Sequence, residues 1–104
     1  MAQFDVYRNP DPRTRRSRPF LLNVQADLLA DYPRRVVVPL APASELERKA
    51  HRLNPVFTID GVDVVMLTTE IASIPERVLR DHAGSLQEYR TELIAALDLL
   101  ITGI

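Results

Sequence analysis

Two apolar runs meet across an Asp-Gly pair in Val56-Phe57-Thr58-Ile59, Asp60-Gly61, Val62-Asp63-Val64-Val65-Met66-Leu67. A two-residue connection needs positive φ at both central positions, which Asp-Gly tolerates, so the stretch predicts a tight antiparallel hairpin. A hairpin alone does not bury its apolar face and must be joined by other elements. Earlier segments supply them. Phe4-Asp5-Val6-Tyr7 is short and alternating, Phe20 to Gln25 reads as a second strand, and Arg35 to Leu40 as a β-branched third. The third is expected to be central until Pro39 interrupts its hydrogen bonding.

Between these strands lie breakers. Asn9 to Pro19 holds three prolines, four arginines and no other apolar residue, which reads as a loop, mobile unless something pins it. Leu28 and Leu29 precede a turn at Asp31-Tyr32-Pro33-Arg34. Ser44 and Glu47 suggest a short helix through Arg52, confined by Pro42 and Pro55. Thr68 to Ile74 reads as a further short strand or a turn. Pro75 suits the first position of a short helix through Arg80, and Gly84 separates that helix from the final segment.

The last segment is helical by period. Ser85 and Glu88 form a capping-box pattern that predicts the helix start. Leu86, Tyr89, Leu93, Leu97, Leu100 and Ile104 recur in steps of three and four as one apolar stripe. Thr91, Ala95, Asp98 and Thr102 form a narrower, more polar seam bordered by Ile94 and Ile101. The stripe is expected to close a core and the seam to face outward, with the last turn available to a partner. Several antiparallel strands followed by a helix define an α+β fold, and 104 residues suffice for one domain spanning 1–104.

The remaining signals exclude more than they assign. With no cysteine there is no disulfide or thiolate metal site, which agrees with a cytoplasmic protein. The first residues, Met1-Ala2-Gln3-Phe4-Asp5, lack a basic-then-apolar secretory pattern, and no apolar run is long enough for a transmembrane helix. A formal net charge of -1 supplies no global attraction to nucleic acid or anionic lipid, so any electrostatic role is local. His51 and His82 sit among charges in candidate short helices and read as surface histidines. No metal-ligand spacing or glycine-rich phosphate loop occurs, so no cofactor, no metal and no enzymatic activity are expected. Arg13, Arg15, Arg16 and Arg18 suit carboxylates and phosphates alike. No aromatic residue is interleaved to stack bases, which favours an acidic protein segment.

Taken in order, Gln3-Phe4-Asp5-Val6-Tyr7, Val24 to Leu29, Arg34 to Leu40, Thr68 to Pro75 and Leu97 to Ile104 resemble the CcdB-type toxins of bacterial toxin–antitoxin modules. The resemblance implies a small barrel-like antiparallel sheet with a C-terminal helix, assembled as a homodimer. It implies a protein of plasmid maintenance that grips the A subunit of DNA gyrase on cleaved DNA and is neutralised by an acidic antitoxin. Carried over by position, the target contact would comprise Asp98, Ile101, Thr102, Gly103 and Ile104, with Leu28 and Leu29 nearby. Arg13, Arg15, Arg16 and Arg18 would face the antitoxin. The well-known gyrase poisons carry Phe-Trp where this chain has Ile101-Thr102, and Asn where it has Asp98. Losing an aromatic anchor commonly costs ~2 kcal/mol or more at an interface.

Two other readings remain. Arg18-Pro19-Phe20-Leu21-Leu22 resembles the arginine-bearing strand start of MazF-type endoribonucleases. Their catalytic threonine after the third strand is replaced here by Ala41. The second alternative is a non-toxic binding module with a different target.

Overall fold

The computed structural model describes residues 1–45 and 52–103. The strands are β1 (Asp5–Arg8), β2 (Phe20–Asn23), β3 (Arg34–Pro42), β4 (Val56–Ile59), β5 (Val62–Met66), β6 (Ala72–Pro75) and β7 (His82–Ser85). One helix, α1 (Arg90–Thr102), follows them. All strand pairs are antiparallel, in the order β4-β5-β3-β2-β1-β7, and β6 lies on β3 beyond the end of β5. The result is a curled sheet with α1 against its inner face, the expected α+β architecture.

The central hairpin forms as its sequence requires. Asp60 has φ 53° and Gly61 φ 76°, so both turn residues are left-handed, and β4 and β5 pair from Val56↔Val65 to Ile59↔Val62. On the inner face of the sheet, Val6, Phe20, Leu22, Val38, Leu40, Phe57, Ile59, Val64 and Met66 pack with Leu86, Leu93 and Ala96. The residues between them are covered as well. Tyr7, Leu21 and Val37 pack under Leu79 on the outer face, while Ala41, Val65 and Leu67 form a third cluster. Burial on both faces is why β2, β3 and β5 read as nearly continuous apolar runs rather than alternating ones.

Pro39 does not end the third strand. Val36 accepts from Val24 N–H across β2, whereas Pro39 accepts from Leu67 N–H on the opposite edge, both at 3.0 Å. The missing N–H of Pro39 therefore points to the edge where β3 changes neighbours, between Val37↔Ala72 of β6 and Leu40↔Met66 of β5. No ladder bond is lost there, so the strand continues to Pro42.

Three further expectations are corrected. The final helix begins at Arg90 rather than at Ser85. Ser85 ends β7, and its Oγ accepts from Gln87 N–H at 3.2 Å, leading into a 3₁₀ turn at Gln87–Tyr89. The capping-box residues thus shape the approach to the helix. The segment after Pro75 is a single 3₁₀ turn, Glu76–Val78, that delivers Leu79 to the outer-face cluster. His82 and Gly84 lie in β7, a strand with too few apolar residues to be read from its sequence. Of the helix expected from Ser44 to Arg52, Ser44 and Glu45 lie in a 3₁₀ turn, Ala43–Glu45, and residues 46–51, His51 included, lie outside the described residues.

Candidate protein-docking surfaces

The outward seam of α1 is as the periodicity implies except at Ala95, which is half-buried. Leu93 and Ala96 are buried, whereas Thr91, Asp98, Thr102 and Gly103 are exposed and Ile101 is 77% exposed. Thr102 Oγ1 donates to Asp98 O at 2.7 Å. Gly103 closes the helix in the left-handed conformation, φ 74°, with its N–H bonded to Leu99 O at 3.0 Å. A capped end fixes the orientation of Ile101 without covering it. Ile104 lies outside the described residues.

Leu28 and Leu29 occupy a 3₁₀ turn, Asp27–Leu29, and Leu28 is 93% exposed. With Tyr32, also exposed, they form an apolar prominence beside a cavity of about 430 Å³ lined by Gln25, Leu29, Tyr32 and Pro33. What holds this turn out is Arg35, whose side chain is only 4% exposed. Its Nη1 donates to Tyr32 O at 2.6 Å and Arg34 O at 2.8 Å, and its Nη2 donates to Ala30 O at 2.8 Å and lies 3.3 Å from Glu76 Oε2. A fixed fork of donors suits three backbone carbonyls better than an ammonium would. Asp27 Oδ1 also accepts from Gln3 N–H at 2.7 Å, and Gln3 Oε1 accepts from Arg90 at 2.8 Å. The turn is therefore tied to the start of α1. Ile101 lies eleven residues further on, roughly 16 Å along the axis. Among the described residues no hydrogen bond or ion pair joins Leu28 or Leu29 to the last helical turn.

The arginine loop is pinned. Asn9 is buried; its Nδ2 donates to Thr14 Oγ1 and Arg18 O, both at 2.9 Å, and its Oδ1 accepts from Asp11 N–H at 3.0 Å. Arg18 makes a two-pronged pair with Glu70, Nε to Oε1 and Nη2 to Oε2, each at 2.9 Å. Arg13 pairs with Asp11 at 3.2 Å, and the Arg13 hydrogen bonds hold the Asp11 carboxyl below its ordinary range. Arg15 and Arg16 are exposed, with no side-chain hydrogen bond or ion pair among the described residues. The four arginines thus divide: two shape the loop and two are presented. Between the loop and the outer face of the sheet runs an apolar groove of about 520 Å³, floored by Leu21, Val37, Pro39 and Ile74.

Nothing in this arrangement assembles a catalytic centre among the described residues. His82 stands edge-on to Tyr7, ring centroids 5.5 Å apart, and 3.6 Å from Asp5. Arg18 is occupied by a carboxylate, and Ala41 is buried in an apolar cluster. No group of histidine, aspartate and glutamate side chains could hold a metal ion among the described residues. Sequence reasoning missed Arg35, Glu70 and Asn9. For Arg35 a signal existed: it is in phase with Val37 on the outer face of β3, where a charge must find internal partners.

A curled antiparallel sheet with a capped last helix, presenting exposed Leu28 and Ile101 and, in Arg15 and Arg16, arginines with no side-chain partner among the described residues, makes up a small α+β protein. The family model described as CcdB protein matches residues 3–103. The chain belongs to the CcdB family, toxins of toxin–antitoxin modules of the gyrase-inhibitor kind, which poison their target rather than catalyse a reaction.

Proposed function

We propose that this protein, as one domain over residues 1–104, is the toxin of a bacterial type II toxin–antitoxin module. It acts in the cytoplasm as a homodimer, binds the gyrase A subunit, traps the enzyme on cleaved DNA, and is neutralised by a cognate acidic antitoxin. The observation that carries the reading is the last turn of α1, which holds Ile101 outward at 77% exposure on a helix that buries Leu93 and Ala96 in the core. An exposed isoleucine on a rigid, capped end is a low-entropy anchor for a partner's pocket. Asp98, Thr102 and Gly103 flank it, with Ile104 following, while Leu28 and Leu29 supply a second apolar contact. Arg15 and Arg16 offer the charge an acidic antitoxin requires. Arg13 and Arg18 keep the loop in shape for that contact.

The test is induction of this chain in cells without its antitoxin, with growth and gyrase–DNA cleavage complexes followed together. Arrest with trapped complexes, lost in Ile101→Ala, supports the reading. Fragmented transcripts without trapped complexes would favour the ribonuclease alternative. Unimpaired growth with soluble, folded protein would refute toxicity and favour a binding module with another target.

A further inference from the structure

A second cavity, of about 410 Å³, lies on the other side of the arginine loop. Three guanidiniums line it from three separate parts of the chain: Arg8 at the end of β1, Arg15 from the loop, and Arg80 from the turn before β7. Asp60 from the β4–β5 turn and Asp81 are the acidic residues on its wall. Both are engaged by Arg8, at 2.9 Å for Asp60 and 3.8 Å for Asp81. Arg80 spends one donor on Arg77 O at 3.0 Å, and neither it nor Arg15 has an acidic partner among the described residues. Arg8 Nη1 is covered and makes no hydrogen bond, so this guanidinium is not fully satisfied in the free protein.

We propose that this cavity is the docking pocket for a single carboxylate side chain of an acidic partner peptide. The inference rests on the proposed antitoxin reading and deepens it by placing the anchor between Arg8, Arg15 and Arg80. Three guanidiniums against two carboxylates leave one positive charge, which one carboxylate neutralises. A dianionic phosphate would overcompensate that charge and meet Asp60 and Asp81 at close range. Phe20 and Val78 supply apolar wall for the methylenes of a glutamate. The Arg8 guanidinium already lies 5.9 Å from the Phe20 ring centroid, so the charged end of the pocket is backed by an aromatic face. The carboxylate would bridge Arg15 and Arg80 as a charge-assisted pair, drawing the loop toward the start of β7.

The test uses the full chain and a labelled twelve-residue peptide alternating glutamate with leucine, its glutamine counterpart, and inorganic phosphate. Side-chain Nε–Hε resonances of Arg8, Arg15 and Arg80 are followed by NMR and affinity by fluorescence anisotropy. The glutamate peptide is expected to shift these resonances, with the glutamine peptide and phosphate leaving them in place. Arg15→Gln with Arg80→Gln should weaken binding about tenfold. Asp81→Asn should tighten it, which a merely destabilised fold would not do. Unchanged affinity in the double variant, shifts confined to Arg16, or displacement of the peptide by phosphate would each overturn the proposal. Growth arrest in cells is scored separately. Its loss with peptide binding intact refutes the toxin reading alone, and arrest without a peptide effect at these arginines refutes this pocket alone.

Discussion

Replacing Arg35 by methionine keeps an unbranched buried side chain and deletes the guanidinium that holds the turn bearing Leu28 and Leu29. Three hydrogen bonds are lost, to the carbonyls of Ala30, Tyr32 and Arg34, together with the 3.3 Å approach to Glu76. Hydrogen bonds from a charged donor contribute about 1.5–3 kcal/mol each. The sum overstates the loss, because removing a buried charge returns its desolvation cost and the freed carbonyls belong to exposed residues that water can reach. A net loss of about 2–4 kcal/mol is expected. In urea, with a slope near 1.5 kcal/mol/M, the midpoint should fall by roughly 2 M. Hydrogen exchange should place the damage, since Leu29, Ala30 and Tyr32 N–H groups bond within the same turn and should lose protection first. Glu76→Gln, which removes only the half-exposed partner, should cost under about 1 kcal/mol. A loss below about 1 kcal/mol in Arg35→Met, with protection of that turn unchanged, would refute the clamp.

The two faces of α1 should separate stability from function. Leu93→Ala, at a fully buried position, should cost about 3–5 kcal/mol in chemical unfolding. Ile101→Ala should stay within about 0.5 kcal/mol yet relieve growth arrest in the induction assay. Gly61→Ala meets no atom within 4 Å, so its cost is purely the left-handed backbone, about 1–2 kcal/mol, read as a lower melting temperature. Burial, then the Asp5 carboxylate, raises the Tyr7 pKa above its ordinary 10.0. The folded chain therefore holds that proton after the unfolded chain has released it, and stability should fall as pH climbs past about 10. Tyr7→Phe should flatten that alkaline loss, measured by urea midpoints at pH 9 to 11.

Legibility in the sequence tracked how local the physics was. The Asp60-Gly61 hairpin and the helix stripe at Leu93 and Leu97 depend on neighbours within a few residues, and both were readable. Pro39 misled because its effect depends on which neighbour lies on each edge of β3, a matter of topology. β7 was missed because Ala83 and Gly84 carry almost no strand signal; the pairing of Val6 with Gly84 and Tyr7 with His82 creates it. The arginine loop was visible as a charge cluster, but its division into shaping and presented residues was not. Glu70, 52 positions from Arg18, decides which guanidinium is taken.

By itself, then, the sequence determined the hairpin, the strand-rich body, the amphipathic last helix with Ile101 on its outward seam, and the absence of thiol chemistry. Those features arise from φ preferences, side-chain period and composition, which act along the chain. Tertiary structure alone decided that Arg35 is buried as a clamp, that Leu28 stands out from the turn it holds, and that Arg8, Arg15 and Arg80 line one cavity. Each of these depends on groups remote in sequence meeting across a curled sheet, where burial and distance, rather than residue type, set the strength of a charge.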